Sequence, residues 1–285
     1  MSAILTQARK DFIQFLLDNC LTIDQAGVPS IADSSQEFSK KVSSSILSKL
    51  GVPKTSPKLA GQQAGSLFED ACLQFIQHTF PHFEKLRPGK WDISKISSRK
   101  GLAISFYEQY AHLVELDALA KSNPSIAAVL GNDYTIAPDI IIARQPEEDD
   151  FINAPHPVFD ESLPIRSALR KSINELPILH ASISCKWTIR SDRAQNSRSE
   201  ALNLIRNRKG RTPHIVVITA EPTPSRISSL ALGTGDIDCV YHFALNELID
   251  SVKEIGNEEA QNLLDIMING KRLKDISDLP LDLCI

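Results

Sequence analysis

The sequence is poor in aromatic residues, at 6% of the chain, and holds no long apolar run. Its apolar stretches, such as Ile126–Leu130 and Ile215–Ile218, are far too short to span a bilayer. An apolar leader is lacking too: Arg9, Lys10 and Asp11 stand where a signal peptide needs hydrophobic residues, so a cytoplasmic location with no membrane contact is expected. The five cysteines (Cys20, Cys72, Cys185, Cys239, Cys284) are odd in number and never spaced as CxxC. That pattern predicts reduced, mostly buried thiols and argues against a disulfide framework or a structural zinc site. There is no internal repeat, no low-complexity tract, and no linker polar enough to demand a second domain. With 42% apolar and 23% charged residues, the 285-residue chain falls in the ordinary globular range, and one domain over 1–285 is expected.

Charge is balanced overall, at 31 Lys+Arg against 35 Asp+Glu, which by itself argues against a nucleic-acid binder. The distribution argues the other way. From Lys186 to Arg211 there are eight basic and two acidic residues, +6 in 26 residues, which leaves −10 for the rest of a chain whose total is −4. Lys85 to Lys100 adds Lys85, Arg87, Lys90, Lys95, Arg99 and Lys100 against Asp92 alone. Clustered cations on an otherwise acidic chain are the footprint of a polyanion site. A merely solvated helix face would interleave acids at i,i+4 spacing, and few are present.

The first 122 residues have helical periodicity. Apolar residues repeat over Gln7–Leu21, Ser34-x-x-Glu37 suggests a capping box for a helix ending at Gly51, Gly65–Phe80 carries a stripe stopped by Pro81, and Leu102–Lys121 predicts a long fourth helix. From residue 123 onward the pattern alternates. Strands are expected at Tyr134–Ala143, Leu179–Ile189, His214–Ala220 and Ile237–Phe243, and helices at Leu163–Ile173, Ala194–Asn207, Pro224–Leu230 and Leu245–Ile268. The class predicted is therefore α/β, with a central mixed sheet, flanking helices and a helical N-terminal part.

Three segments carry chemistry. In Ala137-Pro138-Asp139, followed by three isoleucines, the proline marks a sheet edge or bulge and the carboxylate needs a hydrogen-bonding or cationic partner. An Asp closing a turn beside a proline is the plain alternative. In Ser184-Cys185-Lys186, strand alternation puts Ser184 and Lys186 on one face and Cys185 on the other. An ammonium in an apolar strand needs a counter-charge, which Asp139 could supply, either for catalysis or as a simple structural ion pair. The third segment, Arg190-Ser191-Asp192-Arg193, opens a helix. Arginine is the usual bidentate donor to guanine and Asp can accept from cytosine N4, so this segment suits base reading. Glu200 lies two turns further, flanking the stripe of Ala201, Leu204 and Ile205.

Asp139 after a proline, then Ser184-x-Lys186, resembles the PD-(D/E)xK nuclease core, with serine where the second acid is usual. The continuation Lys186-x3-Arg190-x-Asp192-Arg193-x6-Glu200 looks like the displaced-acid variant of the CCGG family of type II restriction endonucleases, in which the missing acid comes from the following helix. The segments SISCKWTIRSDRAQN, NDYTIAPDII and RTPHIVVITAEPTPSRISS extend the likeness over essentially the whole chain. The resemblance implies a restriction-endonuclease-like fold and a homotetramer that uses Mg²⁺ to cut double-stranded DNA at GCCGGC, after the first G, leaving four-base 5′ overhangs. It implies Asp139, Glu200 and the Cys185 backbone carbonyl as metal ligands, Lys186 as the residue that positions or activates water, Ser184 as completing the motif, and Glu69 as a further acid. Arg190 and Arg193 would read the inner guanines and Asp192 the cytosines. Asp33, Ser35 and Arg226 would read the outer G·C pair, with Gln62 reaching the minor groove. Asp33 would otherwise serve as a helix N-cap, and Arg226 as an ordinary surface arginine. Two other functions fit a PD-(D/E)xK core: a nuclease of repair or recombination, governed by DNA structure, and a sequence-specific DNA-binding protein whose nuclease site has lost activity.

Overall fold

In the computed structural model, residues 2–96, 103–131, 136–233 and 235–285 are described, apart from the side chains of 191–194. The N-terminal part opens with helix α1 (Ile4–Asn19), a two-residue strand β1 (Thr22–Ile23), helix α2 (Glu37–Leu50), the strand β2 (Lys54–Thr55) pairing parallel with β1, and helix α3 (Gly61–Thr79). The predicted apolar stripes are the buried ones: Phe12, Leu16 and Leu17 on α1, and Phe68, Cys72, Phe75 and Ile76 on α3. α1 and α3 meet through Phe12 and Phe75, whose ring centroids lie 5.6 Å apart.

A six-stranded mixed sheet follows, in the order β3 (Trp91–Lys95), β4 (Ile140–Arg144), β5 (Ile178–Lys186), β6 (His214–Thr219), β7 (Cys239–His242), β8 (Leu273–Asp275). The first two pairings are antiparallel and the remaining three parallel. Parallel neighbours need crossovers, and helices supply them: α7 (Ser191–Asn207), α8 (Pro224–Ala231), then α9 (Leu245–Ile255) with α10 (Glu258–Asn269). Shorter helices are α4 (Leu113–Ser122), α5 (Pro124–Leu130), α6 (Asp149–Ile152) and α11 (Leu279–Asp282). β4 and β6 are almost wholly buried, as continuous apolar runs between covered faces should be. The buried apolar residues of the N-terminal helices and of the sheet form one core. Cys20, Cys72, Cys185 and Cys239 are buried free thiols, and Cys284 is half-buried.

Several expectations are corrected. The N-terminal part is not helical throughout, because β3 lies within it and forms one edge of the sheet. Of the helix expected at Leu102–Lys121, α-helix begins only at Leu113, after 3₁₀ turns at Ala103–Phe106 and Glu108–Tyr110; residues 97–102 lie outside the described ones. The reason is tertiary. Buried Gln109 bonds both backbone groups of Leu179 (Nε2 to the carbonyl at 2.7 Å, Oε1 from the N–H at 2.9 Å), so this segment caps the start of β5 instead of continuing a helix. Leu163–Ile173 is irregular rather than helical, held by Arg170, which pairs with Asp149 at 2.7 Å. The long C-terminal helix breaks at Gly256, whose φ of +72° suits glycine, and Asn257 caps α10 through the Ala260 N–H. The Ser34/Glu37 capping box does not form: Gln36 occupies the N-cap without a side-chain bond. Pro138 marks neither an edge nor a bulge. It sits just before the interior strand β4, whose register shift falls at Ile142/Ala143.

His242, at the end of β7, has no exposed surface. Its Nδ1 accepts the Ala244 N–H at 3.2 Å, so Nε2 carries the proton and donates to the Glu221 carbonyl at 3.1 Å. Burial lowers its pKa to about 4, against the opposing pull of Asp275. Between about 4 and 6.5 the unfolded chain therefore binds a proton that the folded chain refuses, and stability falls as the pH drops through that window. Chemical denaturation at pH 7 and pH 5 should show the wild type losing about 2 kcal/mol more than His242→Asn does. Equal losses in both proteins would contradict the assignment.

Candidate active site and nucleic-acid interface

The site forms where β5 ends. Asp139 occupies the bend before β4, and the antiparallel register sets Ile140 opposite Ile183, bringing the Asp139 carboxylate to the last residues of β5. Its Oδ2 accepts the Cys185 N–H at 2.7 Å and Lys186 Nζ at 3.3 Å, with Ser184 Oγ at 3.5 Å. Asp139 is thus the counter-charge of Lys186, and both side chains keep about a quarter or less of their surface exposed. On the opposite strand face, the Cys185 thiol is pushed well above its ordinary pKa by burial and by Cys72. That thiol packs against Cys72 of α3. Trp187 meets Phe68 of α3 edge-to-face at 5.5 Å, which fixes α3 under the strand end.

Two further acids join. Glu200 on α7 has its pKa raised to about 7 by burial; Lys186 opposes the rise and Asp139 adds to it. Glu69 on α3 is raised by burial and then by Asp139, with Lys95 and Lys186 opposing. Asp139 thus raises the pKa of two neighbouring carboxyl groups, as expected of an anionic cluster with room for a cation's charge. Among the described residues no three His, Cys, Asp or Glu side chains are arranged as a ready-made metal cage. Mg²⁺ does not require one, since it commonly takes one or two carboxylates and fills its remaining positions with phosphate oxygens and water. The donor set of Asp139, Glu200 and the Cys185 carbonyl fits that hard ion.

A cleft of about 320 Å³ brings Gln62 and Glu69 to Lys186, along with Gly61, Gly65 and Asn196. A larger neighbouring cleft, about 560 Å³, is lined by Asp33, Lys58, Arg190 and Arg226. A small pocket shares Gly61 and Trp187 with the first and Lys58, Thr188 and Arg190 with the second, so the two make one trough. Arg226 is no ordinary surface arginine: it pairs with Asp33 and lies 3.9 Å from the buried Glu221. Nor does Asp33 cap a helix. Its carboxylate accepts the Ser35 hydroxyl at 2.6 Å and the Ser35 N–H at 3.0 Å, and these bonds, with Arg226, hold its pKa far below the usual carboxylate range. Ser35 therefore orients Asp33. Arg190 is exposed at the N-cap of α7; the backbone of Asp192 and Arg193 opens that helix, and their side chains lie outside the described residues.

The basic clusters divide by role. Arg198 is tied to Asp236 at 2.9 Å and to carbonyls of the α8 region, an internal brace rather than a DNA contact. Lys95 pairs with Asp70 at 2.6 Å and Glu69 at 3.3 Å. Sequence reasoning missed Lys58, whose Nζ donates to the Ala32 carbonyl at 3.0 Å inside the cleft and whose pKa is lowered by burial and by Arg190. Nothing in its Pro- and Lys-rich surroundings signals that position. Glu221 was also missed, although an acid closing an apolar strand before a proline is a signal of the same kind as Pro138-Asp139.

The family model described as NgoMIV restriction enzyme matches residues 12–285. The type II restriction enzyme NgoMIV of Neisseria gonorrhoeae is 53% identical over 286 aligned residues, covering 100% of each chain. Among solved structures, the Bse634I restriction endonuclease is similar with a TM-score of 0.38 at 15% identity, over 70% of this chain and 78% of that one. The type IIF restriction endonuclease Bse634I with cognate DNA gives a TM-score of 0.38 at 16% identity, over 84% and 80%. By its family match and its full-length relative, the chain belongs to the NgoMIV restriction enzyme family and is a type II restriction endonuclease, a site-specific deoxyribonuclease.

Proposed function

We propose that the enzyme hydrolyses both strands of double-stranded DNA at GCCGGC, after the first G, leaving 5′-CCGG overhangs, with Mg²⁺ as cofactor and as a homotetramer engaging two sites. The observation that supports this most directly is the convergence of Lys186 Nζ and the Cys185 N–H on Asp139, beside a trough lined by Cys185 and Lys186 that continues to Asp33, Arg190 and Arg226.

Asp139, Glu200 and the Cys185 carbonyl would hold the metal. When bound, Mg²⁺ offsets charge at the scissile phosphate and acidifies water. Lys186, held by Asp139, orients the attacking water and donates hydrogen bonds to the phosphate as negative charge builds there. Water oxygen joins phosphorus, the bond to the 3′ oxygen breaks, and 5′-phosphate and 3′-hydroxyl ends result. Ser184 steadies Asp139 from the same strand face, and Glu69 adds negative charge on the far side of the cleft. Arg190 and Arg193 read the inner guanines and Asp192 the cytosines, as bidentate geometry favours. Asp33, set by Ser35, and Arg226 take the outer pair, and Gln62 approaches the minor groove.

Asp139→Ala and Lys186→Ala should each abolish cleavage while specific binding of a GCCGGC duplex persists, because both residues sit at the metal end of the trough and away from the reading helix. Gel-shift titration beside a plasmid digest checks this, and either variant cutting near the wild-type rate would remove the assignment.

A tetramer holding two duplexes would bind a second site on the same DNA at high effective concentration. Plasmids with two GCCGGC sites should therefore be cut faster than plasmids with one, and a short duplex bearing the site should accelerate the single-site plasmid in trans. Equal rates without stimulation would mean that a dimer suffices.

A further inference from the structure

We infer that Glu221 is the positioning residue for Arg226: its buried carboxylate fixes the guanidinium facing the outer G·C pair and ties it to the strand end bearing Lys186, an inference that rests on the DNA reading proposed above. Glu221 follows β6 and is 1% exposed. Its Oε2 accepts the Ile189 N–H at 2.8 Å, and its Oε1 accepts the Thr223 N–H at 3.1 Å. Arg226 Nη1 lies 3.9 Å from the same Oε2, while Nη2 bonds Asp33. The backbone of Glu221 is equally fixed. Its N–H donates to Thr219 Oγ1 at 3.1 Å, that hydroxyl donates to the Lys186 carbonyl at 2.8 Å, and the Glu221 carbonyl accepts from His242.

The two acids holding Arg226 therefore differ in kind. Asp33 is a quarter exposed and lines the open cleft, so a base edge can take its place beside the guanidinium. Glu221 is enclosed, and DNA cannot reach it. A carboxylate this deep, bonded by neutral donors of Ile189 and Thr223, still favours a cation beside it, and Arg226 occupies that place both before and after DNA arrives. The guanidinium is then oriented in advance, and less freedom is lost when it meets a guanine. Because Ile189 precedes Arg190, the same oxygen also joins the loop leaving β5 to the loop leaving β6.

The test is competition binding without divalent metal, using short duplexes bearing GCCGGC, ACCGGT (outer pair changed) and GCATGC (innermost pairs changed). Glu221→Gln keeps the shape but removes the charge and leaves one of the two N–H groups facing an amide N–H. It should lose about tenfold of its discrimination against ACCGGT while keeping its discrimination against GCATGC. Arg226→Ala should lose the same outer discrimination, and the double variant should be no worse than Arg226→Ala alone. A uniform loss on all three duplexes, or a loss in the double variant that adds to that of Arg226→Ala, would overturn the inference and make Glu221 structural only. Full outer discrimination by Arg226→Ala would instead overturn the underlying assignment of Arg226, and the inference with it. If Glu221→Gln melts below the assay temperature, Glu221→Asp, which draws the charge back from Arg226, carries the same comparison with the same expected direction.

Discussion

The register of β5 against its two neighbours is the constraint on which the rest of the structure depends. On one side β4 runs antiparallel and starts at Ile140, opposite Ile183; on the other β6 runs parallel and ends at Thr219, opposite Lys186. An antiparallel strand begins where its neighbour ends, so Asp139 arrives at the Cys185 N–H. A parallel strand ends where its neighbour ends, so Glu221 arrives at the Ile189 N–H. Slipping β5 by one residue would exchange the faces of Ser184, Cys185 and Lys186 and separate Lys186 from Asp139. The isoleucines of β4 and Val217 and Ile218 of β6 are buried against β5, and that close packing opposes such a slip.

Electrostatics is organised around that frame. The cations near the strand end are mostly held by acids that do different jobs: Lys186 by Asp139, Lys95 by Glu69 and Asp70, Arg226 by Asp33 and Glu221. A polyanion approaching the trough meets positive groups already aimed, while Glu200 and Glu69 are raised in pKa by burial and by the nearby Asp139, a repulsion that a divalent cation relieves. The overall charge of −4 conceals this arrangement, because the cations are concentrated in space rather than in total.

The sheet was legible in the sequence wherever strands are short apolar runs: β6 and β7 fall within their predicted limits, β5 begins one residue ahead of its own, and α7 and α8 lie where their periodicity puts them. β3 escaped because Trp-Asp-Ile-Ser-Lys mixes polar and apolar residues without a clear period, as an edge strand can. The failed helix at 103–112 and the irregular segment at 163–173 share a cause, in that Gln109 and Arg170 are drawn into distant partners that sequence cannot display. In the candidate site, Asp139 and Lys186 were legible because a charge on an apolar strand demands a partner. Asp33, Arg226 and Gln62 were legible only through the family resemblance, and Lys58 through neither.

Recognition of GCCGGC by this trough, and cleavage within it, can be tested in one step. The most direct measurement is a digest of DNA of known sequence by the purified enzyme, with and without Mg²⁺, followed by sequencing of the product ends. Cuts are expected only with Mg²⁺, only at GCCGGC, each after the first G with a 5′-CCGG overhang. Cleavage at unrelated sequences, or at DNA ends and branches regardless of sequence, would contradict that recognition.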